Sequence, residues 1–123
     1  MNFLIVFVGG GIGAAARHGL GVVGMRLGLM SPLVTMSINV AGSLMMGMVV
    51  GYFAFAGHAS QHWRLFLTTG FLGGFTTFST FSLDVVLFYE RGETLAACAY
   101  VLASALGAIS AAFAGLAIMR SAF

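Results

Sequence analysis

Long apolar runs separated by a few charged or polar clusters dominate the chain. Residues 3–16 carry no charge, and the apolar pattern continues past Arg17 to about Val23 or Met25. No charged residue occurs between Arg26 and Arg64. That interval is too long for one span, and its polar end (His58, Ser60, Gln61, His62) reads as a loop. Residues 65–83 and 94–119 are again uncharged. A membrane span needs about 20 mostly apolar residues. The pattern therefore predicts four helices, at about 3–26, 32–56, 62–89 and 94–119. Ser31 is expected to cap helix 2, with Pro32 at the first helical position, where its missing N–H costs nothing. Arg91-Gly92-Glu93 reads as a tight polar turn, and Thr94 is expected to cap helix 4.

Composition sharpens this into an all-α integral membrane protein. Of the 123 residues 60% are hydrophobic and 7% charged, with mean hydropathy +1.06. A soluble domain carries roughly 25% charged residues. Five arginines and three acids cannot build a water-soluble surface, and the whole chain, 1–123, reads as a single four-helix transmembrane domain. With no lysine there is no basic patch to neutralise phosphates, so nucleic acid is not an expected partner. Cys98 stands alone in an apolar run, which excludes an intrachain disulfide. The first residues end in small ones, Ala14 to Ala16, but lack the basic start of a signal peptide, so cleavage is not expected.

Two other motifs fail on chemistry. Gly9, Gly11 and Ala14 fit a dinucleotide fingerprint, yet the first acid is Asp84, far too distant to hold a ribose. Glycine-mediated packing explains the run. His58 and His62 have metal-ligand spacing on a helix, but no acid or cysteine lies near, so interfacial histidines are the expected reading. No Ser/His/Asp or Cys/His set suggests hydrolysis, and the chain is not expected to be an enzyme.

Small residues recur at intervals of four: Gly9 and Gly13; Gly24 and Gly28; Ser43, Gly47 and Gly51; Ala103, Gly107, Ala111 and Gly115. Such stripes let helices approach in lipid, where apolar burial gives no drive. They serve packing within one bundle or contact with another subunit, and four helices enclose so little that some are expected to face a partner. The charges do not orient the chain. Arg26 and Arg91 fall at one membrane face, Arg64 and Arg120 at the other. That balance leaves open a weak cue elsewhere, or copies inserted both ways and paired antiparallel.

Three residues inside spans stand out: Arg17, Asn39 and Asp84. Arg17 stands about ten residues from the end of helix 1, where an isolated cation is costly. It either snorkels to the headgroups or lines an aqueous vestibule that attracts anions. Asn39 is too deep in helix 2 for a cap, and either bonds a neighbouring helix or donates to an ion. Asp84 is the only acid well inside a span, one to two turns from the end of helix 3.

The segment 70–82, GFLGGFTTFSTFS, differs from the other spans. Paired glycines (Gly73, Gly74) followed by β-branched threonines make poor helix. A break at 73–77 would free backbone carbonyls, which survive in a membrane only when buried in protein or lining a cavity. Freed carbonyls are a usual way to hold an alkali cation there. Phe78 and Phe81 share roughly one helical face. Phenyl edges are positive and meet an anion weakly, and Ser79 and Thr80 offer hydroxyls beside them. Residue chemistry alone leaves this stripe divided between core packing and an anion path.

The chain resembles, over its full length, the Fluc-type (CrcB) fluoride channels of microbes. The resemblance rests on G-x-G-A-x-x-R from Gly11 to Arg17, N-x-x-G from Asn39 to Gly42, and G-G-x-T-T-F-S-T-F from Gly73 to Phe81. It implies a four-helix protein with a broken third helix, in an antiparallel dual-topology homodimer with two fluoride pores, in the bacterial inner (plasma) membrane. It implies a central sodium ion held by the backbone carbonyls of Gly73 and Thr76 of each copy. Phe78 and Phe81 would be the pore phenylalanines and Asn39 the amide beside them. Ser79, Thr80, Tyr100 and Ser104 would extend the polar lining, and Arg17 matches the family's helix 1 arginine. Asp84 stands where several relatives have Glu.

The implied function is passive export of fluoride that entered as neutral HF, with chloride excluded by pore width and mismatched donors. The chief alternative is a small dual-topology multidrug exporter, which needs a carboxylate in helix 1; this helix has Arg17 and no acid. A structural subunit of a larger complex would need neither the break nor the hydroxyls.

Overall fold

A computed structural model describes residues 1–57 and 60–123. His58 lies outside them, so its spacing to His62 has no structural counterpart here. The described residues form helices α1 (Asn2–Arg26), α2 (Ser31–Phe55), α3 (Gln61–Leu65), a π-helical segment (Phe66–Leu72), α4 (Gly73–Phe75), α5 (Phe78–Glu90) and α6 (Thr94–Ala122). The pieces from Gln61 to Glu90 form one span, and four stretches are long and apolar enough to cross a membrane. The all-helical, four-span fold and its limits follow the sequence reading to within a few residues.

The helix starts differ in detail. Met30, not Ser31, occupies the position before α2, and Glu93, not Thr94, precedes α6; neither end has a side-chain cap bond. Pro32 sits within the first turn, and the backbone entering from Met30 is extended (ψ 139°). Ser31, the residue before Pro32, is itself helical, so the extended residue that leads into the helix is Met30. Gly92 has φ +76° and makes the predicted turn between spans. Arg91 Nε and Glu93 Oε1 lie 3.9 Å apart there, both exposed.

Glycines set the packing. A Cβ on Gly9 would lie 2.8 Å from the Phe66 carbonyl oxygen, and one on Gly13 would overlap the Phe71 carbonyl. Gly74 presses on Gly10 in the same way, so α1 lies backbone to backbone along the first half of the third span. Gly47 meets the Ala112 carbonyl, and Gly115 meets the Leu44 carbonyl, which joins α2 and α6 over much of their length. These positions of the small-residue stripes are therefore intrachain contacts. Gly11, by contrast, has nothing near it. Buried side chains are few, among them Leu72, Phe75, Phe88 and Tyr100. Large apolar residues such as Phe3, Phe7, Leu95 and Phe113 cover the exterior, as a lipid-facing surface requires.

Candidate ion pathway

The third span breaks where its backbone turns extended, at Thr76 (φ −82°, ψ 156°) and Thr77 (φ −148°, ψ 116°). The extended residues fall within the 73–77 stretch expected from the sequence; Gly73 and Gly74, its first two residues, remain helical. Gly74 is needed to let α1 approach, and the β-branched threonines that follow take the extended conformation they favour. A π-helical stretch precedes the break, as is common at functional sites.

Three polar contacts hold the break open. Asn39 of α2 donates from Nδ2 to the Thr77 carbonyl (2.9 Å) and accepts from the Thr77 N–H at Oδ1 (2.8 Å). Of the two roles open to Asn39, the bond to a neighbouring helix is therefore made, and a second Nδ2 hydrogen is left over. Arg17 of α1 donates from Nε to the Gly74 carbonyl (3.3 Å), whose helical donor is lost at the break. Thr77 caps α5: its Oγ1 accepts from the Thr80 N–H (3.2 Å) and donates to the Thr80 hydroxyl (3.1 Å). Ser79 Oγ lies 3.4 Å from the same oxygen.

These contacts give each motif a physical meaning. Gly13 admits the Phe71 carbonyl, and Arg17, one turn on, reaches Gly74. Asn39 grips Thr77, and Gly42, nearly one turn on, leaves room for the Thr76 methyl. The carbonyls of Gly73 and Thr76 are among those freed as a result. In a continuous helix Gly73 and Thr76 would accept from the N–H groups of Thr77 and Thr80, but Asn39 and the Thr77 hydroxyl take those donors. Gly73 is exposed and Thr76 half-buried, so oxygens suited to a hard cation lie near the protein surface.

Beside the break lies a groove of about 350 Å³ between α2 and α6, bounded by Asn39, Thr77, Phe78, Phe81 and Ser104. No charged side chain lines it. The Ser104 hydroxyl is buried and meets no hydrogen-bond partner at good geometry, though the Tyr100 hydroxyl lies near enough to interact with it. Phe78 is 78% exposed. Its ring centroid lies 5.5 Å from that of Phe81, which lies 5.3 Å from that of Tyr100. Tyr100 donates to Asp84 Oδ2 (3.0 Å), and both residues are buried. The first turn of α5 faces the break with unpaired N–H groups, the positive end of the helix.

The structure thus brings Asn39, Phe78, Phe81 and Ser104 to one groove, with Ser79 and Thr80 in the cap beside it. Tyr100 reaches it through Phe81. Arg17 lies instead on a separate cleft of about 260 Å³, which Thr77 and Thr80 also line. Thr77 belongs to both cavities and to the Asn39 bond pair, yet the sequence reading gave it no role. The S/T-x-x spacing of Thr77 to Thr80, a cap signature, was the available signal.

Four spans, the third of them broken beside a cavity lined by both apolar and polar residues, define a small multi-pass membrane protein. Residues 4–116 match the family described as CrcB-like protein, Camphor Resistance (CrcB), and the chain belongs to that family. It is 57% identical over 122 residues to a protein of Rhodopseudomonas palustris (strain BisB5) named fluoride-specific ion channel FluC, covering 98% of each chain. It is 53% identical to fluoride-specific ion channel FluC 2 of Nitrobacter hamburgensis, over 98% of each chain. A FluC of Methylobacterium nodulans is 55% identical, over 98% of this chain and 97% of its own. The protein is accordingly a multi-pass bacterial membrane protein.

Proposed function

We propose that the protein is a fluoride channel, a conductor rather than an enzyme, which lets fluoride leave the cytoplasm down its gradient. The observation that carries this reading is the groove beside the break: Asn39, Ser104 and two phenylalanines line it, and no charged side chain does. A small, strongly hydrated anion needs a replacement donor for each water it loses. The Ser104 hydroxyl, the spare Asn39 N–H, the positive end of α5 and the edges of Phe78 and Phe81 supply such donors. A fixed cationic side chain would bind the ion and slow its exit; neutral donors let it pass. The relatives, named as fluoride-specific channels at above 50% identity, support the same ion.

The channel is proposed to work as an antiparallel dual-topology homodimer. The groove is open on one side, Phe78 has little covering it from its own chain, and the arginines balance two against two across the membrane. The Gly73 and Thr76 carbonyls of one chain are too few for an alkali cation, whereas two copies supply four around a two-fold axis. Gly73 and Thr76 of each copy would hold a sodium ion there. Bound, that ion would add a fixed positive charge that raises the local potential for anions and ties the copies together.

Purified protein in liposomes loaded with fluoride tests the reading with a fluoride electrode. Fast fluoride loss with chloride retained is expected. Loss no faster than from protein-free vesicles would overturn it.

A further inference from the structure

We propose that a second groove, between α2 and the π-helical segment, seats one acyl chain of an anionic phospholipid whose phosphate rests on Arg120. This groove measures about 450 Å³, and its lining offers no polar surface. Met45, Met48 and Tyr52 of α2, Phe71 and Leu72 of the π-helical segment, and Met119 of α6 are among its walls. It lies on a different side of α2 from the groove beside the break. Met45 lines the one and Met46 the other, and successive helical residues point about 100° apart. The proposal needs only the membrane-spanning fold and does not depend on what the protein conducts.

The depth of the groove matches one leaflet. Its α2 wall runs from Met45 to Phe53, and α2 ends at Phe55. From Met45 to that end is about 15 Å at 1.5 Å per residue, half of a hydrocarbon core of about 30 Å. Met119 stands close to the end of α6, and Leu67 close to the start of the third span at Gln61. All three walls therefore belong to the half of the bundle where α2 and α6 end. An acyl chain needs length and apolar surface, and no hydrogen-bond partner. The three methionines are flexible enough to follow a chain that changes shape. On its other side α2 leaves no such gap, because Gly47 and Gly51 bring α6 into contact.

Charge selects the headgroup. The third span begins, and α2 and α6 end, at one membrane face. Arg64 and Arg120 belong to that face, and no acidic side chain does, since Asp84, Glu90 and Glu93 fall in the other half. The Arg120 guanidinium lies 5.9 Å from the centroid of the Phe55 ring, which places it at the end of α2. It follows Met119 of the groove wall directly. Arg64 precedes Leu67 of the opposite wall by less than one turn. At the other face Arg91 has Glu93 only 3.9 Å away. The apolar groove on that side, between α5 and α6, carries Glu90 in its lining, which repels an anionic headgroup. Tyr52 and the exposed Trp63 complete an aromatic level at the Arg120 face, as at a lipid interface.

The test is native mass spectrometry of the purified full-length protein, incubated in detergent with phosphatidylglycerol or phosphatidylcholine of equal chain length. The wild type is expected to retain about five times more phosphatidylglycerol. Arg120→Gln should lower that preference, and Arg120→Gln with Arg64→Gln should bring the two lipids level. Arg91→Gln, at the other face, should keep it. Val49→Trp, which fills the groove, should lose both lipids. Circular dichroism checks the fold of each variant, and should Val49→Trp fold poorly, Val49→Phe and Met45→Phe carry the same comparison. Equal retention of the two lipids by the wild type, or a preference that survives the double arginine variant, overturns the proposal. So does a groove-filled variant that keeps its lipid. If that variant instead separates into single chains with its lipid retained, a second copy fills the groove and the proposal is equally overturned.

Discussion

Asn39 holds the backbone of Thr77 at both ends of one residue, through a 2.9 Å bond to its carbonyl and a 2.8 Å bond from its N–H. The amide thereby replaces two bonds that a continuous helix would have made. Asn39→Ala removes both and leaves two backbone groups unpaired in the protein interior, a loss of about 1–3 kcal/mol. The melting temperature in detergent should fall, and fluoride current should be lost. Asn39→Asp keeps the acceptor and should fall in between. An Asn39→Ala protein that melts like the wild type would contradict the strut.

Close backbone contact along α1 predicts a sharp contrast among glycines. Gly13→Ala and Gly74→Ala each place a methyl against a carbonyl of the facing segment, with no side chain able to move aside. Each should cost about 1–3 kcal/mol by overpacking. Gly19→Ala meets nothing within 4 Å and should leave thermal stability unchanged or slightly raised.

That contrast also marks what the sequence could and could not disclose. The four spans were legible because charges are so rare that Arg26, Arg64 and Arg91 punctuate the chain. The break at 73–77 was legible as poor helix, but which of those residues leave the helix was not. Gly73 and Gly74 look like breakers until Gly10 is known to press on Gly74, a contact between residues far apart in sequence. The π-helical segment has no local signal at all. Ser31 was read as a cap from its type and the Pro32 that follows, whereas it is itself the first helical residue and Met30 precedes it. Asn39 carried two open roles, because an amide's partner is set by the helix packed against it.

Phe78 and Phe81, the phenylalanines of the groove, should separate folding from conduction. Phe78 is mostly exposed in the single chain, so Phe78→Ile should scarcely change the stability of the fold. Phe81 packs its ring, tilted, against Phe78 and Tyr100, and Phe81→Ile should cost about 1 kcal/mol. Both variants should run as folded dimers on size exclusion and carry no fluoride current. Unaltered flux in both would refute their part in the pathway.

Tyr100 and Asp84 form a buried pair whose members are not equivalent. Tyr100→Phe removes the donor and leaves the Asp84 carboxyl short of a partner, at about 1–3 kcal/mol. Asp84→Asn keeps an oxygen acceptor and should cost less. A double-mutant cycle on melting temperature should show coupling, with Tyr100→Phe milder in the Asp84→Asn background. Additive effects would mean that the bond carries no stability.

The central claim is that a groove of neutral donors beside a helix break selects fluoride. A reversal potential tests it most directly, in a planar bilayer with sodium fluoride on one side and sodium chloride on the other. The account predicts a potential displaced far towards the fluoride equilibrium value, and abolition of the current in Phe81→Ile. A reversal potential near zero, with fluoride and chloride equally permeant, would contradict it.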